Sequence, residues 1–256
     1  MAISGQKYLM YKHSKSLFRC VGLILVLAIC GNPLFAEDSS ATPEPGPTDE
    51  SSDRTLSAQT IVNNQFKPLF KLVTEELAHN RALNLANPAA YANFINTRVK
   101  PQWDVASTTS ALVGKAGFQA LELPQQQALV RAVDQTLVRY AFEGLEHYSG
   151  QRFQVVDTVI SKREDMGWVQ VEMQSPVIPD LNLDLLIKRT VSGRWKAVDA
   201  RFKGITYVAV KKHQYREIIE EQGMQALIDT LTQKNDEFFS RICAQVDPEL
   251  KAKPPC

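Results

Sequence analysis

The apolar residues of this chain change period once, at Ser149-Gly150, and that switch limits the fold more than any other feature. Before it they recur every three or four residues, as on one face of a helix. After it they alternate, as on one face of a strand. The clearest helix lies just upstream. Leu129, Val133, Leu137, Ala141 and Leu145 form one i,i+4 line, Val130, Val138 and Phe142 widen it, and Asp134, Arg139 and Glu143 mark a wet side. Pro124 suits the first turn of that helix. Earlier, Ile61, Val62, Phe66, Leu69, Phe70 and Val73 predict a helix within Ala58 to Asn80, which Pro68 is expected to bend or divide. After Asn87-Pro88, the residues Tyr91, Phe94, Ile95 and Val99 predict a second short helix stopped by Pro101. Asp104 then stands where it can cap a helix rich in small residues.

Downstream of the switch, Phe153 to Ile160 reads as a strand. Trp168 to Gln174 alternates, with Val169, Val171 and Met173 on one face and Trp168, Gln170 and Glu172 on the other. Pro176 and Pro179 break the run. Leu181, Leu183, Leu185 and Ile187 share a face of a third strand, and Ser192-Gly193 turns into a fourth, Trp195 to Phe202. The links are too short for crossover helices, so the sheet must be antiparallel. Tyr207 to Val210 either extends the sheet or enters a last helical region, which Gly223 interrupts and Met224, Leu227, Ile228 and Leu231 continue. The expected class is α+β: N-terminal helices, an antiparallel sheet of about four or five strands, then C-terminal helices. A sheet with two apolar faces would set one on helices and leave the other to line a cavity.

The N-terminal 36 residues read as an export signal. Lys7, Lys12, Lys15 and Arg19 precede the apolar run Cys20 to Ile29, and no acidic residue occurs before Glu37. A run of about 10 residues is short for a bilayer core that needs about 20. Cleavage is expected after Ala36. Lipoprotein processing at Cys30 is the lesser alternative, because Ile29 is bulky where a small residue is usual. Residues 37–53 hold six acidic residues and three prolines with no large apolar side chain, so residues 37–56 are expected to be a disordered tether. One folded domain then spans 57–242, with a tail over 243–256. Four of the 29 basic residues lie in the signal, leaving 25 against 28 acidic ones, formally −3. Such a balance offers no electrostatic reason for a nucleic-acid partner. Cys243 and Cys256 remain beyond the signal, in a compartment where disulfides persist. A bridge between them, pairing with another chain, and free thiols all stay open.

Recognisable catalytic chemistry is missing from the sequence. It has no glycine-rich phosphate loop, zinc-protease helix or nucleophile elbow. His147 reads as a helix C-terminal residue, and Asp199 as a structural pairing or cap. Lys211, Lys212, His213 and Arg216 form the one local basic cluster; Lys211, Lys212 and Arg216 are candidates for contact with a partner or a phosphate head group. The alternative is a solvated helix entrance.

An ordered set of short stretches carries a family resemblance. These are Val99-Lys100-Pro101-Gln102-Trp103-Asp104, Leu112-Val113-Gly114, Leu123-Pro124-Gln125-Gln126-Gln127, Gly193-Arg194-Trp195-Lys196-Ala197-Val198-Asp199 and Gly204-Ile205-Thr206. In order and spacing the chain resembles the MlaC (toluene-tolerance) family of phospholipid-binding proteins over roughly residues 58–235. Leu123 departs from the Ser or Thr usual before the proline. The resemblance implies a periplasmic carrier, not an enzyme, with no cofactor and with phospholipid as cargo held in an apolar lipid cavity. It implies as partners an outer-membrane lipoprotein–porin complex and an inner-membrane ABC transporter complex with an MCE domain. A non-lipid interaction or assembly protein, or a small-molecule enzyme, are the readings outside the resemblance. On the lipid reading the candidate cavity wall is Val169, Val171, Met173, Leu183 and Leu185, with Phe142, Trp195 and Tyr207 as aromatic additions.

Overall fold

The computed structural model describes residues 56–176, 181–246 and 255–256. The expected export signal, its cleavage and lipidation positions, most of the acidic tether, Pro179 and most of the tail lie outside the described residues.

Helix α1 (Ala58–Ala86) starts where the Ser57 hydroxyl accepts the Thr60 N–H at 3.2 Å. Pro68 does not divide it. That residue is exposed, so water can solvate the carbonyl that its ring leaves unpaired. The helix ends instead at Asn87, because the residue before Pro88 is pushed out of helical conformation. Asn87 then caps α2 (Pro88–Phe94) by accepting the Ala90 N–H at 3.2 Å. The expected single helix up to Pro101 is shorter and less regular than its pattern suggests. It widens into a π turn, Ile95–Val99, then tightens into a 3₁₀ turn, Lys100–Gln102, which contains Pro101. Asp104 caps α3 (Val105–Val113), taking the Ser107 N–H at 3.0 Å and the Ser107 hydroxyl at 2.7 Å. Gly114, at φ 83°, ends it. A short α4 (Lys115–Gln119) leads to the long α5 (Leu123–His147), on which all five residues of the predicted i,i+4 line are buried.

Five strands follow in antiparallel sequence order: β1 (Arg152–Ile160), β2 (Met166–Gln174), β3 (Leu181–Arg189), β4 (Trp195–Phe202) and β5 (Ile205–Thr206). Val171 sits between Val155 and Leu183, and Leu185 between Val169 and Ala200, so one face is apolar from edge to edge. The other face is not. There Asp184 pairs with Arg201 at 2.8 Å, and the Arg201 guanidinium lies 4.0 Å above the Trp168 ring. The expectation of two apolar faces is therefore corrected. The period-2 alternation of β2 places Gln170 and Glu172 on the second face, and one apolar face both packs on helices and borders the cavity.

Helix α6 (Tyr207–Ala244) closes the chain, with a kink at Gly223, whose φ is 85°. Two buried clusters result. The larger joins α1, α2, the C-terminal half of α5 and the apolar sheet face. The smaller joins α3, the N-terminal half of α5 and α6. Helix α5 belongs to both, and Trp103 packs against each.

Candidate functional site

Between α1 and the apolar sheet face lies a cavity of about 60 Å³. Phe66, Leu69, Phe70 and Val73 form its α1 wall, at the i,i+3,i+4,i+7 spacing of one helix face. Leu183, Leu185 and Ala197 form the sheet wall. Ile95 and Val99 of the π turn close a third side, with Gln102 and Trp103 beside them. A second cavity of about 40 Å³ shares Ile95, Val99 and Trp103 and adds Leu137, Val138 and Ala141 of α5. It also reaches Lys100 and Asp134, and these two residues, with Trp103 and Val105, line a third and wider space of about 380 Å³. The order runs from an apolar interior, past a narrow step, to a charged mouth.

The step is held by the local sequence. Val198 is the extra residue of a β4 bulge, between the Asp199–Leu186 and Ala197–Ile187 pairs. Its carbonyl accepts the buried Thr108 hydroxyl at 2.7 Å, and Thr108 accepts the Trp103 indole N–H at 2.9 Å. The Asp104 N–H donates to the Ala197 carbonyl at 2.8 Å. Gln65 of α1 donates to Gln102 at 2.7 Å and to the Trp195 carbonyl at 2.8 Å. One helix, one irregular turn and one strand thus meet over the cavity through hydrogen bonds. At the mouth, the Lys100 ammonium lies 2.6 Å from the Asp134 carboxylate and bridges the 3₁₀ turn to α5. Arg131 and Lys196 share the mouth, and neither has a carboxylate partner among the described residues.

The candidate wall residues from the sequence are placed unevenly. Leu183 and Leu185 line the inner cavity. Val169, Val171 and Met173 share the sheet face with them and are fully buried, outside the lining of that cavity. Phe142 lies in the same core, edge-on to Tyr91 at 4.9 Å, and Trp195 is buried there too. Tyr207 opens α6 and packs in the smaller core, 6.1 Å from Tyr140. The α1 wall had a visible signal, the apolar stripe from Phe66 to Val73, but that stripe does not distinguish cavity from core. Ile95 and Val99 lay in a predicted helical stripe and Trp103 in a stretch that carries the resemblance, but neither signal marks a cavity.

The basic cluster also separates. Lys212 and Arg216 are exposed, whereas Lys211 is buried with its ammonium 5.7 Å from the centre of the Tyr140 ring. Burial, aided by the charges of Arg139 and Lys234 and opposed by Glu143, lowers the Lys211 pKa to about 8. Asp199 serves as a cap. One carboxylate oxygen accepts the Ala200 N–H at 2.8 Å and the Val208 N–H, in the first turn of α6, at 3.1 Å. Burial raises its pKa, and these hydrogen bonds oppose the rise. His147 is the exposed last residue of α5. Cys243 and Cys256 are joined by a disulfide. Among the described residues, no cluster of His, Cys, Asp and Glu could hold a metal, and no helix is long and apolar enough to cross a membrane.

The family model described as MlaC protein matches residues 69–233. A search of curated proteins finds no match. Among solved structures, the chain shares its fold with a phospholipid-binding protein from Ralstonia solanacearum, solved in complex with a phospholipid. The TM-score is 0.59 and the identity 17%, with 72% of this chain and 99% of that chain covered.

Proposed function

This chain belongs to the MlaC protein family, and on that premise we propose that it is a periplasmic carrier of glycerophospholipid. The observation that carries the reading is the stepped cavity, apolar between α1 and the sheet and charged where it opens. Each methylene moved from water into such a space gains about 0.8 kcal/mol. An acyl chain of about fifteen methylenes therefore gains roughly 12 kcal/mol before the losses of association are subtracted. A space of about 60 Å³ holds only a few waters' worth of volume, so an acyl chain enters by parting α1 and the π turn from the sheet. The Gln65 bond to the Trp195 carbonyl crosses that seam and must yield. The phospholipid held by the Ralstonia relative supports the same reading.

The export signal read in residues 1–36 supports a periplasmic location. On the same reading, cargo passes between an outer-membrane lipoprotein–porin complex and an inner-membrane ABC transporter with an MCE domain. The chain itself supplies no chemistry: it hides acyl chains from water in transit. The test is to purify the full chain from the cell and record native mass spectra, followed by solvent extraction. A phospholipid adduct is expected, together with uptake of labelled phospholipid from liposomes. A folded protein with neither adduct nor uptake would sink the reading.

A further inference from the structure

The mouth of the cavity carries more positive charge than its own carboxylates neutralise. Lys100, Arg131 and Lys196 face it from three separate elements, the 3₁₀ turn, α5 and β4. Asp104 is engaged as the cap of α3, and Asp134 is the partner of Lys100. Lys100 and Asp134 keep 40% and 22% of their side-chain surface exposed, so their pair is reachable from solvent and open to exchange. We propose that this mouth is a phosphate-binding subsite, in which a lipid phosphate displaces Asp134 from Lys100 and is held jointly with Arg131 and Lys196. The inference rests on the carrier reading and adds head-group selection to it.

Lys100 also lines the second cavity, next to Val99 and Trp103 of the apolar passage. Engaging its ammonium therefore acts on the segment that must move to admit an acyl chain. A phosphate also offers more acceptor oxygens than one carboxylate, so it can bind several cations at once where Asp134 binds one. Arg131, planar and five-donor, suits such an anion. A lipid without phosphate offers nothing in return for breaking the Lys100–Asp134 pair. The mouth then discriminates by charge, while the inner cavity accepts acyl chains of either lipid.

The experiment uses the full chain, phosphatidylglycerol vesicles, and dispersions of diacylglycerol with the same acyl chains, with occupancy read by native mass spectrometry. The wild type is expected to take up phosphatidylglycerol about tenfold better than diacylglycerol. Lys100→Met, and separately Arg131→Met with Lys196→Met, should each lower the ratio of phosphatidylglycerol to diacylglycerol occupancy severalfold. Asp134→Asn should raise phosphatidylglycerol uptake, a gain that misfolding does not produce. Lys162→Met, on an exposed turn, serves as the charge control. Equal uptake of both lipids by all variants overturns the subsite and leaves the carrier reading standing. Uptake of neither lipid removes both. A separate arm titrates inorganic phosphate alone: tight binding that Lys100→Met abolishes, without any phosphatidylglycerol preference, assigns the cations to a free anion and overturns their role toward lipid.

Discussion

Lys211 shows how a single side chain couples this fold to pH. Its pKa is about 8 against an ordinary 10.5, because burial beside Tyr140 disfavours the charged form. Between those values the unfolded chain binds more protons at this position than the folded one, so its contribution to stability rises as pH climbs from about 8 toward 10.5. The buried phenols of Tyr140, Tyr207 and Tyr215 act in the opposite sense. Burial raises their pKa values, Tyr215 to about 12, so ionisation in the unfolded chain erodes stability above about pH 10. The expected outcome is a stability maximum between these limits. Lys211→Met should flatten the rise above pH 8 while leaving the alkaline fall, which thermal melts from pH 6 to 11 would resolve. A wild-type melting temperature that does not rise above pH 8 would remove Lys211 from this role. The run of basic residues with exposed Lys212 and Arg216 masks this role in the sequence. Helical phase alone assigns it inward, with Tyr215 four residues on.

At the scale of elements, most of the architecture was visible as a period. The i,i+4 line on α5 is buried as drawn, Asp104 caps α3, and the four main strands pair in sequence order. What period cannot show is an interruption that adds one residue. The β4 bulge at Val198 leaves four consecutive residues buried, Ala197 to Ala200, where alternation forecasts two. The π turn at Ile95–Val99 likewise keeps a helical pattern while changing its pitch. Gly167 marks a different constraint, the close approach of β1 and β2. A Cβ there would lie 2.7 Å from the Val159 carbonyl oxygen and 2.7 Å from Ile160 Cδ1. The carbonyl belongs to a paired strand and cannot swing away. Gly167→Ala is expected to destabilise the protein by about 1–3 kcal/mol, measured by urea denaturation. A change within a few tenths of a kcal/mol would show that the pair opens freely at this end.

For the whole molecule the question is which part of a continuous apolar interior yields to cargo. Leu185 borders the cavity, whereas Val171 is buried on the same sheet face outside its lining. If acyl chains enter by parting helices from the sheet, the lipid-bearing space extends along this face. Leu185→Glu and Val171→Glu should then both lower copurifying lipid, measured by native mass spectrometry on variants shown to be folded by circular dichroism. Loss in Leu185→Glu with full occupancy in folded Val171→Glu would confine cargo to the Leu183–Leu185 end. By itself the sequence determined the order of elements, the antiparallel pairing and the inward faces, because these follow from local periods of 3.6 and 2 and from short links. Tertiary structure alone decided which apolar residues border space and which are packed solid. Burial in a core and burial along a cavity demand the same side chains, so Phe70 and Leu185 look like any core residue until α1 is set against β3. It also decided that Lys100, Arg131 and Lys196, scattered along the chain, meet at one opening, since convergence of charge is a property of folded distance and not of sequence spacing.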